Sequence, residues 1–360
     1  MSTPVSDSAS RVAPSSAAAA DTVVPTGHDM PRGVAALVFL RDRGIFILWL
    51  LLILVFSFWC APYFFTWSNA MLIANAAALT AIFAAGVGLG VMSGVLDLSL
   101  PGTAAFCACL TGWLAVNKGV SLWIAVPIAL VCGALVGVVN GLISLQGFNP
   151  IIVTIGTLSV LTGLASVITG GLTIPGLDGL TFMGTRRYFG VPAPVYIVAA
   201  LYLVGTIFLT RTRDGIRFMA VGGNAEAVRR SGIHSDRYKV MGFVISGICA
   251  AIGGLVATAI TTEANPDASP AIIFSALTAV ALAGVAMSGG RGSLPRVLVG
   301  ALILATIANG LIIRGVQTYW ATVITGVLLL ASLGLERFIQ KSVSDRLMAT
   351  SNLSVHQKKV

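Results

Sequence analysis

Apolar residues in this chain neither alternate nor keep to one face. They run unbroken for about the length of a helix and then stop at Gly, Pro, Ser or Arg. Such runs fall near 44–64, 69–92, 102–117, 121–145, 150–169, 194–210, 240–261, 273–289, 295–313 and 317–336. A hydrocarbon core roughly 30 Å thick takes about 17–25 helical residues. A helix also satisfies its own backbone donors and acceptors, which lipid demands. The pattern therefore predicts an all-α polytopic membrane protein with about ten transmembrane helices. The run at 102–117 is short and flanked by glycine, so it is the least sharply bounded.

The polar intervals divide the chain further. Residues 1–43 are expected to form a disordered cytoplasmic N-terminal tail, since 1–31 are rich in Ser, Ala, Thr and Pro. No apolar core follows a basic start there, and no A-x-A-like site follows the first run, so that run is expected to remain as a helix and not to be removed as a signal peptide. Residues 44–338 form the transmembrane domain, and 339–360 a cytoplasmic C-terminal tail. Two loops stand out: the Gly- and Pro-rich segment 170–193, expected outside, and the basic segment 211–239, expected inside.

Composition agrees with that class. Hydrophobic residues make up 56% of the chain and charged residues 10%, against about 25% charged in an ordinary soluble domain. A net charge of +9 would suggest nucleic acid in a soluble protein. Here its distribution points to membrane orientation, and no nucleic-acid partner is expected. With ten spans and both termini cytoplasmic, eighteen of the 22 Lys and Arg residues lie inside. Only Lys118, Arg186, Arg187 and Arg314 lie outside, as the positive-inside rule requires. The expected location is a bacterial inner membrane, crossed many times. The cysteines Cys60, Cys107, Cys109, Cys132 and Cys249 fall in apolar runs; apart from Cys107-x-Cys109, a pair that faces different sides of a helix, none has ligand-like spacing, and all five read as packing residues.

Motifs for chemistry are scarce. There is no GxxxxGK[ST], HExxH or GxSxG, and His28, His234 and His356 all lie in segments expected inside. No catalytic residue, no metal site and no cofactor is expected in this chain. Asp97, in SGVLDLSLPG, is the only acid near the membrane interior. Such a residue is a functional candidate because burying a charge there is costly. A capping role for Asp97 or Ser99 ahead of Pro101 is the favoured reading, and a broken helix at a transport path can serve both roles. In NPIIVTIGT, Asn149 can cap a helix that Pro150 opens. Thr154 and Thr157 sit three apart and could line a path for a hydroxylated solute, or bond their own helix backbone. Asp97, Ser99, Asn149, Thr154 and Thr157 are thus the candidate pathway residues. Short strings also recur: Met-Ser-Gly with Ser-Leu-Pro at 92–101 and again at 287–295, and Asn-Gly-Leu at 140–142 and 309–311. Matches this short are equally expected by chance in a chain rich in these residues.

The stretch VGGNAEAVRRSGI (221–233) is too short and too charged to cross a bilayer. Asn224 can cap a helix over 225–231, Gly232 suits a left-handed C-terminal position, and Glu226 and Arg230 form a favourable i, i+4 pair. A helix this short is unstable alone. It is therefore either a solvated connector or an element held by a partner.

Four segments, in order, resemble one family. GGNAEAVRRSGI is similar to GGNxEAAxxxGI, NPIIVTIGT to PPFIVTLGT, VLDLSL to GIDLSV, and AGVAMSGGRGSLP to GGTSLxGGxGS. Over nearly all of residues 45–338 the chain resembles the permease subunits of bacterial ABC importers for monosaccharides, the ribose, xylose, arabinose and galactose group. The resemblance implies a non-enzymatic subunit that pairs with a second permease copy, in membrane lipid. It also implies two cytoplasmic ATPase subunits, which carry the ATP and Mg, and an external sugar-binding protein. Gly222, Gly223, Asn224, Glu226, Arg229, Arg230 and Gly232 would then belong to the helix that couples to the ATPase. Departures at Val95, Leu100, Pro101, Ile273, Ser275 and Ala283 leave the solute open among sugars, polyols and signalling molecules. The alternative class is an ion-coupled secondary transporter of a small neutral solute, for which only Asp97 offers an intramembrane titratable group.

Overall fold

The structure is a computed structural model and describes residues 32–334 and 337–338. The predicted tails at 1–31 and 339–360 lie outside the described residues. In chain order the helices are α1 (Arg32–Trp59), α2 (Trp67–Met92), α3 (Leu100–Gly112), α4 (Leu122–Leu145), α5 (Pro150–Thr169), α6 (Thr181–Gly184), α7 (Ala193–Arg211), α8 (Arg213–Arg230), α9 (Ser235–Thr261), α10 (Ala271–Leu282) and α11 (Leu294–Ile313). A further apolar helix, α12, spans Thr318–Gly334. Helix α3 widens into a π-helical turn at Trp113–Asn117. Among the described residues, seven helices are long and apolar enough to cross a membrane: α2, α3 with its π turn, α4, α5, α7, α9 and α11. Arg43–Trp59 of α1, α10 and α12 are shorter apolar helices.

The predicted runs match helices, with instructive differences at the ends. Helix α1 begins at Arg32, ahead of the predicted start at 44 and inside the segment expected to be a disordered tail. Arginine is a good helix former, so the charges before the apolar run do not stop the helix. The run predicted at 273–289 is helical only as Ala271–Leu282. Gly284, Gly289 and Gly290 take positive φ values of 66°, 90° and 74°, which a helix cannot contain, so Val285 and Ala286 lie in a turn despite their apolar character. Loop 170–193 is ordered: it holds α6 and a two-stranded hairpin pairing Arg187–Tyr188 with Val191–Pro192. Leu177 and Leu180 are buried beneath it with Ala259 of α9 and Ala264 beyond its end.

Helix α9 is the centre of the bundle and packs on α2, α3 and α4. Its closest neighbour is α4, where Gly133, Gly137 and Gly141 repeat every fourth residue. A methyl on Gly133 would stand 2.6 Å from the carbonyl oxygen of Gly247, and one on Gly137 would overlap the Phe243 carbonyl. Association in lipid depends on close backbone approach more than on burial from water, and small residues make that approach. At the far edge, α1 is held to α11 by Trp49 Nε1, which donates to Thr306 Oγ1 at 3.2 Å, and by the Cys60 thiol, which donates to the Gly310 carbonyl at 3.5 Å.

Candidate functional site: a buried polar chain and a capped surface helix

Between α2 and α3 the backbone is irregular from Ser93 to Ser99, and its polar side chains point into the protein. Asp97 is 2% exposed and Ser99 fully buried. The Asp97 carboxylate accepts from the Ser99 backbone N–H at 2.8 Å and from the Ser99 hydroxyl at 2.6 Å. Ser99 Oγ in turn accepts from Asn140 Nδ2 at 3.0 Å, and Asn140 Oδ1 accepts from the Thr157 hydroxyl at 2.6 Å. Every donor in this chain points toward Asp97. Such an aligned series is mutually polarising in a low-dielectric interior, and it offsets the cost of holding a carboxyl there. It joins the start of α3, the last two turns of α4 and the third turn of α5. Ser246 of α9 stands beside the same carboxyl, with its hydroxyl buried.

The expected capping role is corrected by this geometry. Ser99 occupies the N-cap position of α3, but its side chain makes no capping bond. Asp97 bonds the N–H of the cap residue itself, forming a side-chain turn ahead of the helix. The two threonines of NPIIVTIGT also separate. Thr157 joins the polar chain, while Thr154, fully buried, donates to the Pro150 carbonyl of its own helix at 2.9 Å. Asn149 caps α5, accepting from the Ile151 N–H at 2.9 Å. The structure thus brings Asp97, Ser99 and Thr157 together and leaves Asn149 and Thr154 in local roles.

Asn140 is the member that sequence reasoning missed. The signal was available: it is the single amide inside the apolar run 121–145, and a polar side chain in a membrane helix generally has a partner there.

The surface segment takes the expected capped form, with one correction. It is not an isolated helix but the end of α8, which breaks at Asn224 (φ −159°, ψ 91°). Asn224 Oδ1 accepts from the Ala227 N–H at 3.0 Å, closing the N-terminus. At the other end Gly232, with φ 81°, donates to Arg229 O at 3.0 Å, and Ile233 donates to Val228 O at 3.3 Å. That pair of bonds is the Schellman closure. The helix therefore ends at Arg230, with Ser231 as its cap. Glu226 holds both Arg229, at 2.6 Å, and Arg230, at 3.2 Å, all three exposed. Surface pairs of this kind contribute little stability, so the charges are available to a partner.

The sequence profile of the family described as branched-chain amino acid transport system / permease component matches residues 69–333. The chain is 32% identical over 284 residues to the L-arabinose transport system permease protein AraH of Escherichia coli (strain K12), covering 78% of this chain and 86% of that protein. It is 33% identical to the ribose import permease protein RbsC of the same strain, covering 75% and 86%. It is 32% identical to the D-allose transport system permease protein AlsC of that strain, covering 83% and 92%. No solved structure matches the chain. The apolar helices fit a membrane permease, and the match over residues 69–333 shows that the chain belongs to this transport-system permease family. It is a multi-pass permease subunit of an ATP-driven importer in the bacterial inner membrane, and not an enzyme.

Proposed function

We propose that this permease imports a monosaccharide or a similarly small hydroxylated solute. The observation that carries this reading is the identity of about a third, over most of the chain, to permeases named for arabinose, ribose and allose. The site's chemistry supports it. The one intramembrane carboxylate is turned inward and engaged by Ser99, so it is not offered to a charged solute. In this reading about ten helices cross the membrane with both termini cytoplasmic, and two copies pair. Two ATPase subunits, carrying ATP and Mg, dock on the inner face, and an external binding protein delivers the solute. The segment 222–232 is the coupling helix. Its closed caps, its break at Asn224 and its exposed charges suit a rigid element gripped by a partner.

The test is uptake in proteoliposomes containing the permease, its ATPase and its binding protein. Labelled arabinose, ribose and allose are compared with leucine, with and without orthovanadate. Vanadate-sensitive uptake of one or more of the sugars is expected. Preference for leucine would overturn the sugar reading, and uptake indifferent to vanadate would overturn the ATP-driven one.

A further inference from the structure

Three backbone segments meet without side chains between them, directly behind the capped helix. Gly222 and Gly223 end the first part of α8, immediately before the break at Asn224. Against them lie the end of α2 at Met92–Gly94 and the turn before α11 at Gly289–Gly290. The Gly290 N–H donates to the Met92 carbonyl at 3.1 Å. A methyl on Gly222 would overlap that same carbonyl and stand 2.7 Å from Gly290 N. One on Gly289 would stand 2.5 Å from Gly222 O, one on Gly290 2.5 Å from Gly223 N, and one on Gly94 3.2 Å from the Gly222 Cα. Gly94, Gly289 and Gly290 all have positive φ, at 83°, 90° and 74°. Conformation and contact both select glycine here.

The two segments touched by Gly222 lead into different parts of the bundle. Met92–Gly94 opens the turn that carries Asp97 and, through Ser99 and Asn140, reaches α4 and α5. Gly289–Gly290 leads into α11. Flexible side chains could absorb a displacement of the surface helix, but backbone in direct contact transmits it. Packed elements of this kind switch between arrangements and do not deform continuously.

We propose that Gly222, Gly289 and Gly94 form the transmission joint of the permease. Movement of the 225–230 helix passes through them, backbone to backbone, into the Asp97 turn and α11 at once. These glycines are positioning residues, and their role lies in coupling hydrolysis to transport. The inference rests on the reading of 222–232 as the coupling helix.

The experiment compares wild type with Gly222→Ala, Gly94→Ala and, as a control, Gly88→Ala, each in complex with its ATPase and binding protein. A methyl on Gly88 meets only side-chain carbons of Val280 and Val297, at 3.5 Å and beyond. Three quantities are read: ATPase co-purification, hydrolysis with and without solute-loaded binding protein, and uptake. Gly94→Ala, which lies outside the 222–232 segment, is expected to retain its ATPase and basal hydrolysis. It should lose stimulation by the loaded binding protein, with uptake falling about tenfold. Gly222→Ala should lose stimulation and uptake at least as far, and Gly88→Ala should match wild type. Stimulated hydrolysis and uptake at wild-type levels in Gly222→Ala would overturn the proposal. If Gly222→Ala fails to assemble, Gly94→Ala decides: assembled but uncoupled supports the joint, whereas full uptake or loss of the ATPase overturns it. A wild-type complex that never binds an ATPase would instead sink the coupling-helix reading itself, so the two failures are distinguishable.

Discussion

Two turns of this protein share their punctuation and differ in what holds them. The turn at 93–99 between α2 and α3 is entered through Met92-Ser93-Gly94, the turn at 283–293 between α10 and α11 contains Met287-Ser288-Gly289, and each leads into Ser-Leu-Pro. The outcome at the ends is the same. Gly94 and Gly289 take left-handed conformations, with φ of 83° and 90°, and both Leu-Pro pairs open a helix with proline in its first positions. The interiors part company. The first turn is fixed by side chains, through Asp97 and Ser99 to Asn140 and Thr157. The second contains no acid and is held by backbone: within the turn Ala286 N–H donates to Arg291 O at 3.0 Å and Gly289 N–H to Ala286 O at 2.9 Å, and Gly290 N–H donates to Met92 O at the end of α2 at 3.1 Å. Local sequence sets where such turns begin and end, and the residues between decide which neighbours they answer to.

That contrast can be broken by substitution. The largest effect is expected from Asp97→Leu, which strands the buried Ser99 N–H and hydroxyl. At about 1–3 kcal/mol for each buried polar group left unpaired, the melting temperature in detergent should fall well below wild type. An unchanged melting temperature would mean that the first turn does not depend on its side chains. Asn140→Ala should come next. It empties a fully buried position and cuts α4 and α5 from the turn, while Thr157 can still donate to the Val153 carbonyl at 3.0 Å. A loss of about 1–3 kcal/mol is expected, again read by thermal melting.

Asp97→Asn sharpens the comparison, because its carbonyl oxygen can still accept both bonds from Ser99 while the charge is gone. Near-normal melting with reduced uptake is expected; full uptake would confine Asp97 to an architectural role. The smallest effect separates two equivalent serines. Ser93 is buried and its hydroxyl donates to Gly90 O at 2.8 Å, so Ser93→Ala should cost about 0.5–1.5 kcal/mol, the net worth of one hydrogen bond. Ser288 is exposed, and Ser288→Ala should stay within about 0.5 kcal/mol of wild type. Equal losses in the two would erase the distinction between the turns.

Much of this architecture was legible in the sequence, for a physical reason. Span-length apolar runs, the Asn149 cap with Pro150, and the Asn224 and Gly232 caps are all local rules, read within a few residues. What escaped was assembled over distance. The Thr157–Asn140 bond joins residues seventeen apart, and the Asn140–Ser99 bond residues forty-one apart, so no window of sequence shows either. The early end of α10 was hidden because Val285 and Ala286 continue the apolar pattern past Gly284. The joining of the surface helix to the rest of α8 was hidden too, since Gly222 and Gly223 look like breakers and are helical here only because backbone packs against them.

The seam between α4 and α9 reverses the usual sense of an alanine scan. Replacing a side chain by alanine ordinarily removes volume, and a large loss marks a side chain that was needed. At Gly133, Gly137 and Gly141 the same replacement adds volume where another backbone already lies. On the same helix Leu135 and Val139 are 55% and 52% exposed. There, shortening the side chain removes only outward surface. A scan along α4 should therefore single out its smallest residues and pass over its largest, so that the helix is defined by the room it leaves empty.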